Sequence, residues 1–409
     1  MSEKKNFEIP EKLWNPMFIS LFITSGLMNL STQMSNSLLS LYAKANGAPA
    51  DKIGTLMSLF AMTALIMRFI AGPAMTAYDR KRLLQLALFF FGTAYIGFGL
   101  SPIVSSITHI DLITVLMIFR LIQGMGNAFG NACLMAIVSE VIPKKQFSSG
   151  MAVYALAQTV SQAIGPTIGV TLRDFIGYNA TYVVAGLILY ATIVLVQAIV
   201  KVPNSGTGKF VLRFDTMVAK EAFVPAMITF LIAIGFNAIN AFLLVYAEER
   251  GIPNSSLYFT VYAITMLATR PLIGKLTDKY GFVKVAIPSL LMTAISLYLI
   301  GQSKSLIMLL IVGAINACGY GATQPAVQSL CMKSVDTTKR GSASSTNYIA
   351  MDAATLVGPY VCGVVANTFG YTPIMWTVMT IPVILGVIFV WCTRKQIEDI
   401  EYNFENNNK

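Results

Sequence analysis

The chain has 409 residues, of which 55% are hydrophobic and only 12% charged, and its mean hydropathy is +0.66. A water-soluble globule devotes about a quarter of its residues to charge, so this composition excludes one and predicts an integral membrane protein. A formal net charge of +10 would suit nucleic acid, but the basic residues are scattered a few per loop. That is the footprint of a membrane face rather than of a phosphate-binding groove, and no nucleic-acid partner is expected.

The first thirteen residues, MSEKKNFEIPEKL, are polar and mixed in charge. The apolar run behind them is too long and wrongly flanked for a cleaved signal peptide, so it is expected to remain as a span. Crossing a bilayer takes roughly 20 apolar residues in a helix. Twelve runs qualify: 16–42, 52–77, 83–100, 112–139, 148–171, 178–200, 222–247, 256–277, 283–301, 305–332, 341–365 and 373–393. The predicted fold class is therefore all-α with twelve transmembrane helices.

If both termini face the cytoplasm, 21 of the 29 Lys and Arg residues lie on that side, five (Lys44, Lys52, Arg173, Arg250, Lys304) lie outside, and Arg68, Arg120 and Arg270 fall within spans. Positive loops resist translocation, so the bias predicts a multi-pass protein of the cell membrane with cytoplasmic termini. The longest inner loop marks the division: residues 1–200 form an N-terminal six-helix bundle, 201–221 a cytoplasmic linker, 222–393 a C-terminal bundle and 394–409 a cytoplasmic tail. The linker's Gly206–Lys209 stretch, GTGK, lacks the glycine spacing and preceding strand of a phosphate loop. Five cysteines without CxxC spacing and a single histidine, His109, supply no metal or disulfide framework, and no cofactor is expected.

A polar hinge, RPLIGKLTDKYG at 270–281, has a blurred copy 202 positions earlier in RFIAGPAMTAYDR at 68–80. Further pairs follow. Gln33, Asn36 and Tyr42 match Asn237, Asn240 and Tyr246 at an offset of 204, and Gln123, Gly126 and Asn131 match Asn316, Gly319 and Gln324 at 193. Gly165-Pro166 matches Gly358-Pro359 at the same 193. The chain is thus expected to form two pseudo-symmetric six-helix bundles, the architecture in which secondary transporters bind substrate near the midplane between repeats.

A charge inside the membrane is costly, about 2.5–3.5 kcal/mol by insertion scales, and so marks a candidate functional site. Of 19 acids, only Asp352 lies well within a predicted span, and Arg120 reaches a similar depth from the opposite face. Asp352 reads either as a proton-loading carboxylate or as a structural one bonded to Thr355 or Asn347. Arg120 reads either as an anchor for substrate or the proton site, with a salt bridge to Asp352 as one option, or as a packing residue. Catalysis would need a convergent acid, base or metal constellation, and none is present, so an enzyme is not expected.

Over nearly its whole length the chain resembles the major facilitator superfamily, and within it the twelve-helix proton-coupled exporters of drug/proton antiporter type. Arg270, Gly274, Asp278 and Gly281 match the family's GxxxDxxG loop signature; RLIQGMG at 120–126 and AIGPTIG at 163–169 are similar to its motifs in the fourth and fifth helices. The resemblance implies a gate at Arg270, Gly274, Asp278 and Gly281, with Asp278 received by a helix start near Ser148 and Ser149. In the first half Thr76 replaces the signature's aspartate and Asp79 its glycine, so the two halves are not expected to latch alike. Ser161 and Val170 replace two glycines of the antiporter motif.

It also implies a cavity lined by the first, fourth, seventh and tenth spans. These carry Asn29, Gln33, Asn36, Gln123, Asn127, Asn131, Asn237, Asn240, Asn316, Tyr320 and Gln324, and the fifth span adds Gln158. So many amides point to a polar or amphiphilic cargo. The implied function is proton-coupled, alternating-access export, with Asp352 and Arg120 in coupling; the alternative is proton symport for uptake of a sugar, nucleoside or organic acid. Expected partners are the lipid bilayer, protons and a small-molecule substrate, with the chain acting as a monomer.

Overall fold

The structure, a computed structural model, describes residues 12–143, 146–200, 210, 218–336 and 340–407. Its helices are α1 (Pro16–Ala45), α2 (Ala50–Ala77), α3 (Arg80–Thr108), α4 (Leu112–Val141), α5 (Phe147–Ile199), α6 (Phe223–Glu249), α7 (Leu257–Tyr280), α8 (Phe282–Gln302), α9 (Leu306–Lys333), α10 (Arg340–Phe369), α11 (Pro373–Cys392) and α12 (Arg394–Asn407). The described residues contain no strand. This follows from burying a backbone in hydrocarbon, where each N–H and C=O must find its partner within the segment.

α5 comprises 53 residues and consists of two helices that meet at Gly177. There φ of 79° and ψ of 168° leave helical space, a conformation glycine adopts without Cβ strain. Its two arms, 147–176 and 178–199, correspond to the fifth and sixth predicted runs. Among the described residues nine helices are long and apolar enough to cross a membrane, α5 counted once. α1, interrupted by Ser, Asn and Gln, falls short of that measure.

The predicted run 83–100 is too short, because α3 continues to Thr108. Its polar end stays helical: Ser101, Ser106 and Thr108 donate to the carbonyls of Phe98, Ile103 and Val104. Most of the predicted linker 201–221 lies outside the described residues, and the predicted tail 394–409 contains the helix α12.

The chain forms two compact units, Met1–Leu38 with Met62–Leu212, and Leu39–Ala61 with Arg213–Lys409. In the first, α3 packs on α4 and α5. The approach is close: a Cβ on Gly126 would stand 2.9 Å from the Ala87 carbonyl oxygen. In the second, α6 packs on α10, and α8 on α9 and α11. There Tyr246 meets Trp376 edge-on at 5.6 Å and donates to the Gly301 carbonyl at 2.7 Å. The same unit takes in the end of α1 and the start of α2, where a Cβ on Gly54 would stand 2.5 Å from the Pro359 carbonyl oxygen.

Candidate transport site

In the first unit the candidate residues converge on Arg120, which is 2% exposed in the middle of α4. Its guanidinium donates to Asn36 Oδ1 of α1 at 3.0 Å and to Gln123 Oε1, one turn along α4. Gln123 Nε2 then donates to the Tyr95 hydroxyl of α3 at 3.1 Å, and that hydroxyl to Thr32 Oγ1 of α1 at 3.3 Å. Arg120, Asn36 and Gln123 are thereby brought together. The network joins three helices through neutral acceptors, which is how a buried guanidinium offsets part of its desolvation. Tyr95 and Thr32 carry no distinct signal in the sequence, Tyr95 being one aromatic in an apolar run and Thr32 one hydroxyl in a run already rich in Ser, Asn and Gln.

The other predicted lining amides divide their valence. Asn29, Asn237 and Asn240 each donate to the carbonyl four residues back, at 2.8, 2.9 and 3.2 Å. They are half-buried, as are Gln33, Asn127, Asn131, Gln158 and Gln324. Gln33 also supports helix packing, since its Cβ lies 2.8 Å from where a Cβ on Gly165 would stand.

Asp352 lies twelve residues past Arg340 in α10 and is 7% exposed. Nearby, Asn347 Oδ1 accepts from the Thr229 hydroxyl at 2.6 Å and from Cys331 Sγ at 3.5 Å, tying α10 to α6 and α9. Thr355 donates to the Met351 carbonyl of its own helix. Asp352 belongs to the second unit and Arg120 to the first.

Around Asn316 the second unit is unlike the first. Asn316 is 0% exposed and faces the Tyr258 hydroxyl. The buried hydroxyl of Tyr320 has no hydrogen-bond partner among the described residues. Such an atom costs about 1–3 kcal/mol. Phe236 stacks on Tyr320 at 4.1 Å with the ring planes 10° apart, and lies 5.6 Å from Tyr262. Asn316 and Tyr320 were predicted as lining; Phe236, Tyr258 and Tyr262 were not, because aromatics at helical spacing look like ordinary core.

At the gate, Asp79 N-caps α3, its Oδ1 accepting from the Lys81 amide at 3.0 Å. Gly281, its repeat counterpart, has φ 82° and ψ 162° and no side chain to offer. The cap of α8 comes instead from α12: both carboxylate oxygens of Glu401 accept from the Phe282 amide, at 3.1 and 3.2 Å. Nothing in the sequence separated Glu401 from the rest of an acidic tail. Gly274 is exposed, and Arg270 is half-buried with its Nε unpartnered. Arg80 pairs with Glu140. The side chains of Thr76, Asp278, Ser148 and Ser149 lie outside the described residues.

Residues 21–257 and 225–403 match the sequence profile of the Major Facilitator Superfamily. An uncharacterised transporter of this type from Methanocaldococcus jannaschii is 24% identical over 390 residues, 92% of this chain and 98% of that protein. The staphylopine export protein of Staphylococcus aureus is 22% identical over 282 residues, 64% and 66% of the two chains. Among solved structures, that of a mutant of the nucleoside transporter NupG superposes with a TM-score of 0.78 at 12% identity, covering 91% of this chain and 99% of that one. The likeness in structure concerns the fold; the profile, spanning almost all of the helices, shows that the chain belongs to the Major Facilitator Superfamily and is a multi-pass membrane transporter of small molecules.

Proposed function

We propose that the protein is a proton-coupled antiporter that exports a small polar or amphiphilic solute by alternating access, with both termini in the cytoplasm. The observation that carries this reading is Asp352, a carboxyl 7% exposed in the middle of a transmembrane helix. A buried carboxyl can bind and release a proton as its surroundings change, so its charge state can be tied to the side the transporter faces. Arg120 serves by positioning: its bonds to Asn36 and Gln123 hold two lining amides in fixed orientations. Export is favoured by the efflux character of a relative, the staphylopine export protein. The orientation rests on the distribution of lysine and arginine among the loops.

The test uses purified protein in sealed vesicles with an imposed proton gradient and a fluorescent pH probe inside. Adding a transported solute should release protons through the wild type and not through Asp352→Asn, while solute binding survives. Undiminished gradient-driven flux in Asp352→Asn would remove the carboxyl from the coupling step. The direction of solute movement against the gradient separates antiport from symport.

A further inference from the structure

We propose that α12 is a releasable strap that holds shut the Lys333 end of α9, so that undocking of α12 lets that end of the second unit open locally.

Two polar contacts fasten the strap. Glu401 accepts from the Phe282 amide at the start of α8, where its carboxylate also meets the positive end of the helix dipole. One turn along, the Lys333 ammonium in the last turn of α9 stands 5.6 Å from the centre of the Phe404 ring, a cation–π pair. Residues 397, 401 and 404 share a face by their helical spacing, and Ile397 on that face is 0% exposed. The strap thus spans α8 and α9 and bears on α11 as well.

Taken alone, α12 has little to keep it helical. It has 14 residues, about the length at which isolated helices become marginal in water. Arg394 and Lys395 open it, and Glu398, Asp399 and Glu401 follow, an order of charge that opposes the helix dipole. Its outer face, with Glu398, Asp399 and Tyr402, is exposed. Docking therefore sustains the helix, and a small set of contacts sustains the docking. A segment held in that way opens locally before the rest of the fold.

What the strap covers is specific. Two residues before Lys333, Cys331 is 0% exposed, and its thiol donates to Asn347 Oδ1 at 3.5 Å, an oxygen that also accepts from Thr229. That junction joins α9 to α10 and α6. The same α9 carries Asn316, Tyr320 and Gln324, so release of α12 loosens a helix that bears candidate lining residues. At the hinge of the first unit the cap is local, from Asp79, and opening there does not depend on α12.

The test reads thiol exposure in the purified full chain in detergent, well below its unfolding temperature, with Cys392→Ser removing the exposed cysteine beside α12. N-ethylmaleimide is the probe. Mass spectrometry follows its rate of addition at Cys331 and at Cys133, which is equally buried but lies in α4 of the first unit. When reclosing is fast, that rate tracks the population of the open form. Glu401→Ala and Phe404→Leu should each raise the Cys331 rate at least threefold and leave the Cys133 rate unchanged. Asp79→Ala, which removes the cap at the other hinge, should not move Cys331. A melting curve shows that each variant is folded, and Phe404→Leu carries the test if Glu401→Ala is not. Equal rises at both cysteines mean general loosening and overturn the proposal, as does an unmoved Cys331 rate in a folded variant.

Discussion

Glu401 of α12 caps α8 at the amide of Phe282, with both carboxylate oxygens 3.1–3.2 Å from the nitrogen. At the equivalent hinge of the first half the cap is local, from Asp79 to the amide of Lys81. The difference follows from one substitution in the repeat. Where the first half has aspartate the second has Gly281, whose positive φ of 82° suits a residue without Cβ, and the carboxylate must be borrowed from elsewhere in the chain.

Removing the Glu401 cap should therefore destabilise the second unit as removing an N-cap does, by about 1 kcal/mol. Glu401→Ala and Asp79→Ala are expected to lower the midpoint of thermal unfolding to a similar degree. Deleting residues 394–409 should cost at least as much as Glu401→Ala, since α12 also packs on α9 and α11. Unfolding monitored in detergent checks this, and an unchanged midpoint for the deletion would remove α12 from the fold's stabilising contacts.

The Arg120 network should behave as one unit. Tyr95→Phe removes the acceptor for Gln123 Nε2 and is expected to cost about 1–3 kcal/mol, the penalty of a buried donor left unmade. Arg120→Lys is not conservative, because an ammonium cannot reproduce the planar fork that serves two acceptors. A double-mutant cycle between Tyr95→Phe and Gln123→Leu should show coupling, and strict additivity would count against a continuous network.

On α2, two glycines make opposite predictions. A Cβ at Gly54 would lie 2.5 Å from the Pro359 carbonyl oxygen and 3.0 Å from Gly363 Cα, while one at Gly72 would meet nothing within 4 Å. Gly54→Ala should push α2 from α10 and cost about 1–3 kcal/mol as overpacking. Gly72→Ala should be neutral or slightly stabilising, through better helix propensity. Thermal unfolding of the two variants side by side distinguishes them.

In the last turn of α1, Lys44 pairs with Glu249 at 2.6 Å and reaches Glu248 at 3.7 Å. Glu249 remains 44% exposed, so the pair should contribute no more than about 1 kcal/mol and weaken with salt. Lys44→Gln is expected to lower stability at low ionic strength only. A loss that persists at about 1 M salt would point to packing by the lysine stem against Tyr371, whose ring lies beneath the ammonium.

The sequence by itself determined the class, the helical runs, the internal repeat and the family, because these rest on hydrophobic length and on local motifs. It also marked Arg120, Asp352 and most of the polar residues near them, since a polar group in an apolar run stands out wherever it points. What tertiary structure alone decided is how those groups are partnered. That Gln123 is held by a guanidinium while Asn316 faces a tyrosine depends on Arg120 in one half and on the Tyr258 ring over Gly313 in the other. That Glu401 caps a helix 119 residues away, and that Phe236 and Tyr320 stack, depends on which helix faces meet. Hydrogen bonds and ring contacts are fixed at the scale of a few ångströms, a scale that periodicity along a chain does not encode.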